Sequence, residues 1–300
     1  MISSPVTPAP VKPPVKPRVK PMTPQRIVSS VLTYSLLIAI GIFAVFPFVW
    51  TFAISITDKT FAGGTSIYDF PGSLLPKRVT LHNFFEVFTK FSLAKYLFNS
   101  VVITAATVIG TLAVSAFAAY PLSRLKFPGQ HFIFGAILAT LVLPNETGFI
   151  VNIITLQKLG LLNSYAGVVI PIIATAFGIF VMRQAYLSIP EALLEASRID
   201  GATELQILWR VMIPLSLPTL TALGIFTLVN TWNSYFWPSV ALIFAPELQP
   251  LSVAMLKLKG QFNYDVYNVA AGAMILMLPV LVVFLAAQKL FMRGLDGAVK

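Results

Sequence analysis

Six stretches of this 300-residue chain hold no Asp, Glu, Lys or Arg: residues 27–57, 96–123, 127–145, 159–182, 211–246 and 266–288. A lipid bilayer offers no water to backbone N–H and C=O groups. A segment that crosses it must therefore satisfy them internally, as a helix of about 20 residues or as a strand of a closed barrel. The runs are 19 to 36 residues long and lack the short alternating pattern of barrel strands. They predict an all-α integral membrane protein with six transmembrane helices, at about 27–56, 96–120, 131–153, 166–187, 213–235 and 268–290. The fifth run, Val211 to Pro246, has room for a span and a further embedded segment, and Pro214, Pro218 and Pro238 forbid one straight helix through it.

Composition points the same way. Charged residues make up 11% of the chain and hydrophobic ones 57%, against about 25% charged for a soluble domain. The outside must be apolar as well as the core, which excludes a soluble enzyme or a disordered chain. With no cysteine there are no disulfides, thiolate nucleophiles, zinc fingers or iron–sulfur ligands, and His82 and His131 cannot form a helical His-pair metal site. No G-x-x-x-x-G-K-[ST], H-E-x-x-H, G-x-S-x-G or EF-hand spacing occurs. The expectation is a chain with no catalytic residue, no metal and no bound cofactor, whose work is powered from elsewhere.

An even number of spans puts both termini on one side, and the side richer in Lys and Arg is the cytosol. With the N-terminus inside, thirteen of the 21 basic residues fall on the inner face, for a net charge of +8 inside and +2 outside. Topology thus accounts for the overall +10, and no nucleic-acid partner is needed. Residues 1–26 carry eight prolines between Pro5 and Pro24, with Lys12, Lys16, Arg18 and Lys20 among them. They read as an extended, disordered cytoplasmic tail, a topogenic spacer ahead of a transmembrane domain at 27–300. The apolar run after it is too long for a signal-peptide core and lacks a small-residue cleavage site, so it reads as an uncleaved anchor.

The most informative segment is the loop at 188–214, between the fourth and fifth spans. Ser188 with Glu191, and Thr203 with Gln206, have the spacing of capping boxes, and Pro190 suits a first helical turn, so two short helices are expected. Between them Asp200-Gly201 is a turn in which glycine takes a positive φ. The first helix offers Ala192, Leu193, Ala196 and Ile199 beside Glu195 and Arg198; the second offers Leu205, Leu208, Trp209 and Met212 at i, i+3, i+4 and i+7. Amphipathicity alone allows such a pair to lie along lipid. Its polar side mixes acids with bases, whereas surface helices carry a mainly basic face, so docking into a groove on a cytosolic protein fits better.

This loop resembles the "EAA" loop of the inner-membrane permease subunits of bacterial ABC importers, through Glu195-Ala196-Ser197, Gly201 and Ile213-Pro214. Ser197 stands where alanine is usual. The likeness extends to the carbohydrate-uptake branch related to maltose permeases. It is carried by Asn99-Ser100, Ala119-Tyr120 with Arg124 to Gly129, Gly160 to Asn163, Trp232 to Pro238 and the tail Arg293 to Lys300, and covers nearly everything after residue 27. The resemblance implies the ABC type I importer architecture: a second permease subunit in a heterodimer, an extracytoplasmic sugar-binding protein, and two cytosolic ATPase subunits that hold ATP and Mg. It also implies that residues 188–214 form a coupling loop. Glu191, Glu195, Arg198 and Asp200 would make its polar contacts with the ATPase, and Ala196, Ser197 and Gly201 would allow close approach and the turn. Leu205, Leu208 and Trp209 would be the apolar anchor, unless they pack on the protein's own spans.

Sugar sites combine aromatic faces with amides and hydroxyls. Asn230, Trp232, Asn233 and Tyr235 near the outer end of the fifth span are candidates for the substrate pathway, with Asn145 and Glu146 from the third span. Glu146 reads either as a functional carboxylate or as a structural group at headgroup level. An interfacial aromatic belt predicts aromatics at the same depth, and Trp237 suits that role. The outer loop at about 239–265 resembles the part of the family that meets the binding protein. The rival readings are an ion-coupled secondary transporter, an importer of a non-sugar solute, a membrane enzyme and a non-transporting subunit. The first has only Glu146 for coupling, the enzyme lacks any paired acid or nucleophile–base set, and the last leaves the loop unexplained.

Overall fold

In a computed structural model of the chain, residues 24–60, 70–144, 148–261 and 265–296 are described. All named elements among them are helical. The chain divides into two compact units, Met1–Val49 and Trp50–Lys300. Helix α1 (Pro24–Ser55) runs through the boundary, and within the first unit its large apolar side chains from Val28 to Val49 are exposed, as an interface with lipid requires.

The second unit continues with α2 (His82–Lys90), α3 (Leu93–Arg124), α4 (Gln130–Ala139), α5 (Phe149–Lys158), α6 (Tyr165–Ile173) and α7 (Ala176–Leu187). Then come α8 (Glu191–Ile199), α9 (Glu204–Ile207), α10 (Ile213–Leu215), α11 (Leu217–Asn233), α12 (Phe236–Ala241), α13 (Leu251–Gln261) and α14 (Val266–Asp296). Among the described residues three helices are long and apolar enough to cross a membrane: Val28–Ser55, Leu93–Arg124 and Val266–Ala286. Two bent pairs raise the number to five if each is one span: α6 with α7, bent by 47°, and Glu204–Leu215 with α11, bent by 77°.

The stretch expected as one span over about 131–153 is instead two shorter helical pieces, Gln130–Val142 and Phe149–Lys158. Pro144 accounts for the first ending. A proline forces the residue before it out of the helical region, and Leu143 is extended, with φ −78° and ψ 130°. The candidates Asn145 and Glu146 follow directly and lie outside the described residues, as does most of the 1–26 tail.

Helix α3 is the central post. Its buried face is a stripe at helical spacing: Ser100, Thr104, Thr107, Thr111, Ser115 and Ala119. Small side chains let neighbouring backbones approach closely, the usual device where no hydrophobic effect drives helices together in lipid. Gly178 on α7 shows how closely, because a Cβ there would lie 2.3 Å from Ser115 Oγ. Beside α2, Lys59 Nζ bridges Glu86 Oε2 (2.6 Å) and Asp265, and Lys90 Nζ reaches Glu86 Oε1 at 2.5 Å. This clasp joins α2 to the start of α14 and holds the Glu86 carboxyl down at about 2, chiefly through the bonds from Lys59 and Lys90.

The bend between α6 and α7 has a local cause. Ala174 leaves helical geometry three residues after Pro171, and Thr175 starts the next helix by accepting the Gly178 N–H on its hydroxyl (3.1 Å). At 208–212 the chain makes a π-helical turn, and Ser216, flanked by Pro214 and Pro218, marks the second bend.

Candidate functional site

Two neighbourhoods hold the candidate residues. In the first, α8 and α9 lie against the ends of α3 and α7. Leu194 is fully buried in a cluster with Tyr120, Met182, Tyr186, Ile207 and Met212, which fixes how α8 is rotated. The opposite face, with Ala192, Leu193, Glu195, Ala196 and Ile199, is exposed; Ile199 is 85% accessible. On α9 and the turn after it, Leu205 and Trp209 are more than half exposed, whereas Leu208 is buried in the chain's own core. The second helix therefore divides its apolar residues, with Leu208 and Met212 inward and Leu205 and Trp209 outward, and Trp209 packs edge-on against Phe117 at 5.7 Å.

The two helix starts differ. Thr203 and Gln206 form a full capping box, with Gln206 N–H donating to Thr203 Oγ1 (3.3 Å) and Thr203 N–H to Gln206 Oε1 (2.9 Å). The expected Ser188–Glu191 box does not form. Pro190 occupies the cap position of α8, and Ser188 still has the helical geometry of α7, so its hydroxyl turns back to the Ala185 carbonyl (2.7 Å). Gly201 has φ +80°. The Ala202 N–H reaches the Ser197 carbonyl and the Gly201 N–H the Arg198 carbonyl, each at 3.0 Å. This is the Schellman ending of a helix, which needs a left-handed residue. Nothing lies within 4 Å of a Cβ built at Gly201, so within this chain the glycine serves the turn and not a close approach.

A chain of charged groups fixes the loop to the membrane helices. Arg124 at the end of α3, its side chain 6% exposed, donates to Glu191 Oε2 (2.6 Å) and to the carbonyls of Tyr186 and Ile189. Arg198 Nε donates to Glu204 Oε1 (2.9 Å), the Tyr120 hydroxyl donates to the other oxygen of Glu204, and Arg198 lies 4.0 Å from Glu191. Ser197 Oγ is occupied by the Leu193 carbonyl (2.8 Å). Glu191 and Arg198, expected to bond outward, thus have partners within the chain. Glu195 and Asp200 are the acids of the loop that project outward without a side-chain partner among the described residues. Arg124, Tyr120 and Glu204 were not singled out from sequence as members of this network. The available signal was an arginine closing a long apolar run, which reads equally as a topology marker.

The second neighbourhood is a cavity of about 920 Å³ between α3, α5, α7 and α11. One face of α11 supplies Leu223, Phe226, Thr227, Asn230 and Thr231, mostly at spacings of three and four residues, and Ser234 follows just past the helix end. Opposite are Asn152 and Phe149 of α5, Thr175 and Phe177 at the α6–α7 bend, and Trp237. Unpaired backbone at a bend is tolerated at membrane depth where it lines such a cavity. Of the sequence candidates, Asn230 faces the cavity, with its amide N–H given to the Phe226 carbonyl (2.8 Å) and its Oδ1 free. Trp232 points away: it is buried and donates Nε1–H to the Leu276 carbonyl (2.8 Å), holding α11 to α14. Asn233 and Tyr235 are exposed and do not line the cavity. Trp237, assigned to an aromatic belt, instead lines it, with its indole N–H on the Val168 carbonyl (3.0 Å) and its ring edge-on to Phe149.

Comparison with known proteins places this architecture. The family described as binding-protein-dependent transport system inner membrane component matches residues 111–297, well over half of the chain. The chain belongs to this family. Among curated relatives, the arabinooligosaccharides transport system permease protein AraQ of Halalkalibacterium halodurans is 33% identical over 285 residues, 92% of this chain and 99% of the relative. The sn-glycerol-3-phosphate transport system permease protein UgpE of Yersinia enterocolitica is 35% identical over 207 residues, 68% and 73% of the two chains. Among solved structures, a bacterial ABC transporter involved in the import of the acidic polysaccharide alginate superposes with a TM-score of 0.80 at 27% identity, covering 89% of this chain and 98% of that one. This inner-membrane component therefore has the ABC type I importer permease fold, and its relatives are transport permeases.

Proposed function

We propose that this chain is one of two unlike permease subunits of an ABC importer that moves a sugar inward, delivered by an extracytoplasmic binding protein. ATP and Mg are held by two cytosolic ATPase subunits, and both termini face the cytosol. The loop at 188–214 is the joint to the ATPase. The observation that carries this reading is the outward apolar set Leu193, Ile199, Leu205 and Trp209, presented on two helices that Arg124, Glu191, Arg198, Glu204 and Tyr120 bind to the membrane domain. A face left to fluctuate would pass on little of an ATPase movement, whereas one fixed to α3 and α7 moves with them as a body. The outward acids Glu195 and Asp200 add directional contacts around the apolar centre. The relatives named for arabinooligosaccharides and the neighbour named for alginate support a sugar as cargo.

The test is reconstitution of the chain with its candidate partners in vesicles. ATP hydrolysis that rises only when loaded binding protein is added supports the reading. Sugar uptake by this chain alone, without ATPase subunits, overturns it.

A further inference from the structure

The named relatives and the structural neighbour differ in the charge of what they carry: arabinooligosaccharides are neutral, whereas glycerol 3-phosphate and alginate are acidic. The cavity wall in this chain speaks to that difference. None of the described residues lining it is Asp, Glu, Lys, Arg or His. In place of charge it offers neutral hydrogen-bonding groups with capacity to spare. Asn152, Thr227, Thr231 and Ser234 have no side-chain hydrogen bond to another described residue, and Asn230 keeps Oδ1 and one N–H free. Beside them stand the rings of Phe149, Phe236 and Trp237, with Phe149 and Phe236 tilted at 4.9 Å. A phosphate or carboxylate taken into such a space would leave water with no counter-charge from the described lining residues, which is strongly unfavourable. A neutral sugar ring has hydroxyls for the amides and hydroxyls of α11 and a C–H face for the aromatics. At about 920 Å³ the cavity lies near the top of the roughly 300–1,000 Å³ range of small-molecule sites.

We propose that the α11 face Thr227–Asn230–Thr231 with Ser234 just past its end, and Asn152 and Trp237 across the cavity, is a transit site for uncharged glycosides and rejects phosphorylated or uronic acid cargo. This rests on the importer reading above and sharpens it to a charge class.

The test uses the whole importer in vesicles with its binding protein, and follows ATP-dependent uptake of arabinotriose, a tri-uronate and glycerol 3-phosphate. Arabinotriose uptake is expected to exceed that of either anion at least tenfold. Asn230→Ala and Thr231→Val are each expected to slow it by about tenfold in importers that still assemble with the ATPase subunits. Asn230→Lys is expected to block the neutral sugar without opening the path to the anions. If one variant fails to assemble with the partner subunits, Thr227→Val gives the same readout from the same face. Uptake unchanged in assembled variants, or anion uptake equal to that of arabinotriose, overturns the proposal and leaves the importer reading standing. Absence of ATP-dependent uptake of all three solutes, together with ATP hydrolysis that no loaded binding protein stimulates, overturns both.

Discussion

Substitution of Gly201 isolates backbone geometry from contact. Its φ of +80° lies in the left-handed region, and the space where a Cβ would go is empty to 4 Å. The cost of a side chain within this chain is thus conformational strain alone. Holding an L-residue there costs roughly 1–2 kcal/mol. Alanine should show about 1 kcal/mol, valine at least 2 because β-branched residues resist this region most, and asparagine little, because it visits the region several-fold more often than other residues. The strain falls on the Schellman bonds from Ala202 and Gly201 to Ser197 and Arg198, so local opening, read by amide hydrogen exchange over residues 197–207, is the appropriate measure. Exchange should quicken about 5-fold for Gly201→Ala, about 30-fold or more for Gly201→Val, and less than 3-fold for Gly201→Asn. ATPase stimulation by loaded binding protein should fall in the same order, with assembly retained. Equal effects for asparagine and valine on exchange would refute the strain argument. A normal exchange rate with lost stimulation for asparagine would instead show that an ATPase surface packs against the glycine.

Arg124→Met leaves the Ile189 carbonyl without its donor, while the Tyr186 carbonyl keeps the Ile189 N–H; at about 1–3 kcal/mol for a buried unpaired group, exchange across 186–194 should rise about fivefold or more, whereas Glu191→Gln, at an exposed partner, should change it little. Gly178→Val drives a side chain into Ser115 and Thr175, an overpacking of about 1–3 kcal/mol that should lower the thermal unfolding midpoint in detergent, with Ser115→Gly recovering part of the loss. The Lys59–Glu86–Asp265 clasp has a signed pH dependence. The Glu86 carboxyl sits at about 2 when paired, below its ordinary 4.5, so its stabilisation is complete above about pH 5.5 and is lost as pH falls from 4.5 toward 2. Glu86→Gln should abolish that part of the pH dependence of thermal unfolding and leave the profile above pH 6 flat.

The charge-free runs made the helical membrane fold legible because exclusion of charge from lipid leaves a long, unambiguous trace. The turn at Gly201 and the Thr203–Gln206 box were legible for a similar reason: each is set by a few adjacent residues. What the sequence concealed were facts of tertiary direction. Trp232 and Trp237 look alike in the string, yet one is turned into α14 and the other into the cavity by the bend after Asn233. Ser188 has the spacing of a cap, but Pro190 takes that place. Leu194, rather than its neighbour Leu193, orients α8, and only the position of Tyr186 and Met182 beneath it decides between them. Among the described residues Asn230 is the one sequence candidate that faces the cavity, and the usable signal around it lies in Thr227, Thr231 and Ser234, at three- and four-residue steps, beside the louder aromatic cluster that follows.

Helix α7 has one end at each neighbourhood. Its first residues, Ala176 and Phe177, form part of the cavity wall, and its last turn supplies the Tyr186 carbonyl that Arg124 grips beside the loop. Twelve residues at about 1.5 Å each make a rod of roughly 18 Å. A displacement of Glu191 would pass through Arg124 to the Tyr186 carbonyl and from there along the backbone ladder of α7 to Phe177, next to the bend at Ala174 and Thr175.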